Sequence, residues 1–182
     1  MNLELMNMQN IQTYDDFKVK MESFLVWLNK EPQTTKKDQK KGVIYIAISE
    51  IETQLDTIFL GQWQTKNIQM LVVGNEFVVS LELGVLNPIS GQWLWRAGVG
   101  ACMIRQSKGA AISNIDAKIK NGMEMDAPHA KAQAVKNAAL SIGKFFGRDL
   151  RRKKEDVSDY TPKFTKSIEA IKARKNENTP QD

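Results

Sequence analysis

Apolar residues fall along this chain in two rhythms, and the change between them divides it. Phe17, Met21, Phe24, Leu25 and Leu28 recur at helical spacing, which predicts an amphipathic helix over 14–29. Thr13 with Asp16 three residues on resembles a capping box, with Asp in place of the usual Glu. Pro32 and the polar run 33–41, with four lysines, two threonines and no apolar residue, read as a linker closed by Gly42. Ile44, Ile48, Ile51, Leu55 and Ile58 then form a stripe that predicts a second helix over 43–59. Its β-branched residues also suit strands.

From Gln64 the period becomes two. Residues 64–73 read as a strand, and Gly74-Asn75 is a hairpin signal because both residues tolerate positive φ. Phe77, Val79, Leu81, Leu83 and Val85 alternate with Glu76, Ser80, Glu82 and Gly84 in a second strand. Asn87-Pro88-Ile89-Ser90-Gly91 is turn chemistry. A third strand, 93–104, puts Trp93, Trp95, Ala97, Val99, Ala101 and Met103 on its apolar face and Arg96, Gly98, Gly100 and Cys102 on the other. Such a meander needs a cover on its apolar side.

Residues 107–126 are polar, with Ile112, Ile115, Ile119 and Met123 as anchors for a short helix or ordered loop. Asp126 as cap and Pro128 in the first turn predict a helix over 127–147. At 100° per residue, Ala134, Val135, Ala138, Ala139, Ile142, Phe145 and Phe146 share one face. His129, Gln133, Lys136, Asn137, Lys144 and Arg148 fall on the opposite side. Phe164, Ile168 and Ile171 are in register for one more helix over 163–175. The expected fold is α+β: a three-stranded antiparallel β-meander packed on a long basic helix (β-β-β-α) with flanking helices. The expected parts are an N-terminal helix and polar linker (1–42), a core domain (43–150) and a basic, then mixed-charge tail (151–182).

A chain of 182 residues, 42% of them apolar, fits one domain with a real core. The single Cys102 rules out a disulfide scaffold, and with one histidine, His129, it cannot complete a Cys-based zinc site. No run approaches the roughly 20 apolar residues that span a bilayer, and the start lacks a signal-peptide pattern. An intracellular, reducing compartment is expected, without a membrane partner.

Charge sharpens the picture. The net +5 is uneven: eight basic residues and one acid lie between 127 and 154, a local net of +7. A concentrated positive field attracts polyanions and makes their binding salt-dependent. Lys136, Lys144 and Arg148 on the helix ridge, extended by Arg151 and Arg152, offer phosphate contacts, with Gln133 and Asn137 as neutral neighbours and Arg96 as a second wall. Trp63, Trp93 and Trp95 are either stacking platforms or core, and at least one of Trp93 and Trp95 is expected in the core. Lys36, Lys37, Lys40 and Lys41 are either a second phosphate contact or a solvated linker.

Enzyme signatures are weak. There is no two-His metal motif, HExxH helix, Ca²⁺ loop or Walker sequence. A Cys102–His129 pair is arithmetically available, but a strand cysteine more often serves as a small hydrophobe. Glu124 and Asp126 are near enough in sequence to share a Mg²⁺ with other carboxylates, though capping and solvation are the commoner uses. No catalytic residue, metal or cofactor is expected.

The order of parts carries a resemblance. Phe59-Leu60-Gly61-Gln62-Trp63 ends a helix, a meander follows, and a basic helix runs from Ala130-Lys131-Ala132-Gln133-Ala134-Val135-Lys136 to Phe146-Gly147. Over roughly 43–150 this resembles the annealing domain of the Rad-type single-strand annealing proteins, which include the eukaryotic recombination mediator and its mitochondrial and phage relatives. Ala134-Val135 and Phe146-Gly147 match the family's spacing best. The resemblance implies a β-β-β-α unit assembled into a ring or filament, with single-stranded DNA in a basic groove and annealing without ATP. Lys144 matches a basic position of the groove helix, whereas Leu140 and Ser141 stand where eukaryotic members are basic.

The expected function is therefore ATP-independent binding of single-stranded DNA and annealing of complementary strands in recombination or repair, of phage or mobile-element type. The implied partners are further copies of the chain and an exonuclease or single-strand-binding protein. The implied location is the bacterial cytoplasm, nucleoid-associated when DNA is bound. Two rivals stay open: a non-catalytic interaction domain whose basic helix meets an acidic partner, and a metal-dependent DNA-processing enzyme.

Overall fold

The computed structural model describes residues 13–39, 42–111 and 114–157. The expected helix over 163–175, Lys40, Lys41 and Ile112 lie outside the described residues. The first helix, α1 (Tyr14–Leu28), forms as its spacing predicts. Thr13 Oγ1 accepts from the Asp16 amide at 3.2 Å and donates to the Asp16 carboxylate at 2.8 Å, so the two side chains close the cap between them. Phe24 and Leu28 are its buried apolar residues.

The polar run does not remain a linker throughout. Lys36–Lys37 (β1) pairs antiparallel with Ile44–Tyr45 (β2), and the turn is closed by Asp38 and Val43 with Gly42 at positive φ. The second helix therefore starts late, as α2 (Ile48–Ile58), rather than at 43. Val43, Ile44 and Ile46 are β-branched, and Ile44 takes the strand conformation such residues favour. Ile51, Leu55 and Ile58 are buried as the stripe predicts.

The meander is β3 (Trp63–Val73), β4 (Glu76–Leu86) and β5 (Trp93–Met103), antiparallel in the order β3-β4-β5. At the first turn only Gly74 takes positive φ. Asn75 instead folds inward, and its backbone and side chain both bond Ile104 at the far end of β5. The inner face of β4 is as expected, with Phe77, Val79, Leu81, Leu83 and Val85 all buried, and on its outer face Gly84 is buried as well.

The third strand faces opposite to the expected way. Its register sets Arg96 against Leu83, Gly98 against Leu81, Gly100 against Val79 and Cys102 against Phe77. Residues paired across strands share a face, so the glycine side of β5 is the covered side. Trp93, Val99 and Met103 are exposed on the other face, and Trp95 is half-buried there, lying flat over Gly84. Neither tryptophan joins the core.

The cover is α3 (Gly122–Leu140), which lies across β4 and β5. A Cβ on Gly98 would fall on the Ala134 carbonyl, and one on Gly100 would fall on the Ala130 carbonyl and the Ala134 amide. Ala130, Ala134 and Ala138 on the helix meet these glycines with nothing larger than a methyl group. The helix is displaced from the expected 127–147. It begins after Asn121 at positive φ, so Pro128 sits in its second turn and leaves the Glu124 carbonyl without an intrahelical donor. Asp126 is not a cap: buried, it accepts from the Arg105 amide at 2.9 Å and pairs with its guanidinium at 3.0 Å.

The helix stops at Leu140 because Gly143 runs extended against α1, where a Cβ would strike the Leu28 carbonyl. Lys144–Phe146 is a 3-10 turn, and Gly147 at positive φ ends it. Ile142, Phe145 and Phe146 are buried as expected, but through this turn rather than along a helix face. Phe146 stacks near Phe59, and Phe145 meets Trp27 at 4.6 Å between ring centroids, joining α1, α2 and the end of α3 in one core. No helix among the described residues is long and apolar enough to cross a membrane.

Gly98→Ala should cost about 2 kcal/mol or more in denaturant unfolding, because backbone on both sides must move. Ala97→Ser, on the uncovered face, should stay within about 0.5 kcal/mol.

Candidate nucleic-acid interface

The small β1–β2 hairpin lies beside α3 and brings Asp38, Val43 and Tyr45 opposite His129, Gln133, Lys136 and Arg151 around a cleft of about 500 Å³. A second hollow of about 230 Å³ adjoins it, sharing Tyr45, Lys136 and Arg151 and adding Asn137, Leu140, Arg148 and Arg152. Lys136 sits at the waist. Its side chain is buried, and its ammonium lies 4.8 Å from the centre of the Tyr45 ring. Burial first, and the neighbouring Arg151 second, push its pKa below the ordinary lysine value.

The remaining expected contacts divide into two groups. Gln133 and Arg151 line the cleft as anticipated, whereas Lys144 and Arg148 do not continue a helix ridge. The Lys144 ammonium is turned into the protein, 3.5 Å from Glu31 and 3.8 Å from Asp149. Arg148 donates to Asn29 at 2.8 Å and lies 3.7 Å from Asp149. Arg152 stands 3.1 Å from the same carboxylate, in ion-pair range but not aligned for a hydrogen bond. One largely covered acid, its side chain 9% exposed, thus gathers three of the five cations assigned to phosphate. It does so because ending α3 at Leu140 lets the chain turn back on itself.

Asn137 and Arg96 are drawn into structural work. Asn137 donates to the Val99 carbonyl at 2.7 Å, tying α3 to the outer strand. Arg96 donates to the Ser141 carbonyl at 3.3 Å and to the Trp95 carbonyl at 3.1 Å. It therefore meets the negative end of α3 and lines neither hollow, so it is not a second wall. Lys36 and Lys37 lie exposed in β1.

The aromatic side chain that does reach the cleft is Tyr45, in β2 rather than in the helix that spacing predicts over 43–59. Its only sequence signal is a ring set between Ile44 and Ile46 in a β-branched run. Trp63 is half-buried and donates to Asp56 at 2.7 Å. Trp93 and Trp95 pair on the far side of the sheet, with ring centroids 5.7 Å apart and Lys66 3.6 Å from the Trp95 ring.

No nucleophile is poised among these groups. The Cys102 thiol donates to the Asp126 carbonyl, and burial, then the Asp126 charge, push its pKa up. Asp126 is committed to Arg105. Among the described residues, no three His, Cys, Asp or Glu side chains lie close enough together to hold a metal ion.

Comparison with protein-family models and with curated proteins gave no match to this chain.

Two variants separate the structural cations from the cleft cations. Asp149→Asn should lower unfolding free energy by roughly 3 kcal/mol, because Lys144 keeps its charge in a buried site. Lys136→Met should raise Tm at neutral pH. Because the folded pKa lies below the unfolded one, the unfolded chain holds more protons between those values, and wild-type stability rises with pH through that window. The advantage of Met should therefore shrink at alkaline pH, as thermal melts at stepped pH will show.

Proposed function

We propose that the chain binds single-stranded nucleic acid along the cleft between the β1–β2 hairpin and α3 and promotes annealing of complementary strands. The observation that carries this reading is the joined pair of hollows with Lys136, Arg151 and Arg152 around them and Tyr45 between. Cations hold a phosphate backbone without reading sequence, and an aromatic ring accepts any base by stacking. Annealing asks no bond chemistry of the protein. It asks that phosphate repulsion be reduced and the bases left free to test complements, which a basic groove supplies.

The resemblance to the Rad-type annealing proteins supports the same reading, now with the phosphate contacts moved from Lys144 and Arg148 towards Lys136, Arg151 and Arg152. Several copies would be needed to make one short groove into a track. The edge strand β3 favours such assembly. It is 11 residues long, unpaired on its outer side among the described residues, and exposes Ile68, Met70, Leu71, Val72 and Val73. Long apolar edges of this kind pair readily with another chain.

The test is binding of a labelled oligothymidylate across about 50 to about 300 mM salt, beside an annealing assay without nucleotide or metal and a measured particle mass. Affinity should fall steeply with salt. Arg151→Ala with Arg152→Ala should weaken binding and reduce the logarithmic salt slope by about 1.4, the share of two phosphates on a single strand. A flat salt response, or strand pairing no faster than without protein, would overturn the reading.

A further inference from the structure

Among the cations that line the two hollows, Lys136 and Arg151 differ from Arg148 and Arg152. Lys144, Arg148 and Arg152 each stand within ion-pair distance of Asp149, and Arg105 is paired to Asp126. Lys136 and Arg151 have no carboxylate in ion-pair range among the described residues. Only 9% of Lys136 is exposed. Its one aromatic neighbour, Tyr45, offers cation–π attraction worth about 2 kcal/mol at best. Burial of an uncompensated ammonium costs more than that, and the nearby guanidinium adds repulsion. Two like charges facing one opening are relieved together by a single anion placed between them.

We propose that Lys136 and Arg151 form a seat for one phosphate group at the waist where the two hollows join, with Gln133 as a neutral donor beside it. The hollows on either side leave room for a phosphodiester chain to enter by one and leave by the other. The identity of the ligand as nucleic acid rests on the function proposed above; the seat itself does not. An anion there would favour the ammonium form of Lys136 and raise its lowered pKa, so binding in alkaline buffer, where the lysine titrates, draws a proton from solvent. The other charged or titratable groups around Lys136 are Asp38 from the hairpin, Tyr45 from β2, His129 from α3, and Arg148, Arg151 and Arg152 from the segment after it.

The experiment is calorimetry with two probes, inorganic pyrophosphate and an oligothymidylate, each in alkaline buffers of differing ionisation heat. Three forms are compared: wild type, Lys136→Gln and Lys136→Arg. Wild type should bind both probes with proton uptake. Lys136→Gln should lose about tenfold or more in affinity for each. Lys136→Arg should keep affinity and lose the uptake, since an arginine is always charged. Oligothymidylate binding with no proton uptake and no loss in Lys136→Gln would overturn the seat while leaving the nucleic-acid reading intact. Pyrophosphate binding with uptake, but no oligothymidylate binding, would support the seat as one for free phosphates and remove the nucleic-acid reading. Pyrophosphate affinity unchanged in Lys136→Gln would place the anion elsewhere and overturn the seat.

Discussion

Two missing side chains in β5 govern how near α3 can come to the sheet. At Gly98 and Gly100 the helix backbone occupies the space that a Cβ would take. This contact sets the height of α3 and which of its faces turns inward, and so which residues are left pointing at the hairpin. Lys136 reaches the cleft because Ala134 and Ala138, on either side of it in sequence, are pressed against those glycines. The same contact explains the reversed facing of β5. A strand bearing Trp93 and Trp95 towards the helix would hold it several ångströms away and leave the β4 side chains uncovered.

Electrostatics then sorts the basic segment. A run with net +7 looks from its composition like one continuous positive surface. In the fold its single acid, Asp149, sits half-buried at the centre of three cations, and Glu31 from the segment after α1 approaches one of them. Lys144 and Arg148 thereby fasten the chain after α3 to the residues that follow α1, through Glu31 and Asn29. What remains for a ligand is a smaller and sharper feature: a buried lysine, a neighbouring arginine and a tyrosine ring at the junction of two hollows.

Much of the apolar surface faces away from this cleft. The far side of the sheet exposes Leu71, Val73, Val99 and Met103, and β3 offers an edge that no described residue pairs. The fold moderates that edge with a register shift between Lys66 and Gln69, where Asn67 takes positive φ, and with the Lys66–Glu82 ion pair. Beyond the bulge, towards Val73, no described residue gives it such protection.

The elements with one sustained apolar period were legible in the sequence. Helix α1, the three strands and the core residues of α2 and β4 follow from periodicity, since one face of each must leave water whatever it packs against. Tertiary contact decided the rest. Whether 43–47 is helix or strand depended on pairing with Lys36 and Lys37, and which face of β5 is inner depended on a helix some thirty residues later. The end of α3 depended on Gly143 meeting Leu28. Charge was least readable of all: a lysine's value as a ligand contact depends on whether a carboxylate remote in sequence has already claimed it. Periodicity reports only that a face is wet or dry; it holds no information about which partner occupies the far side.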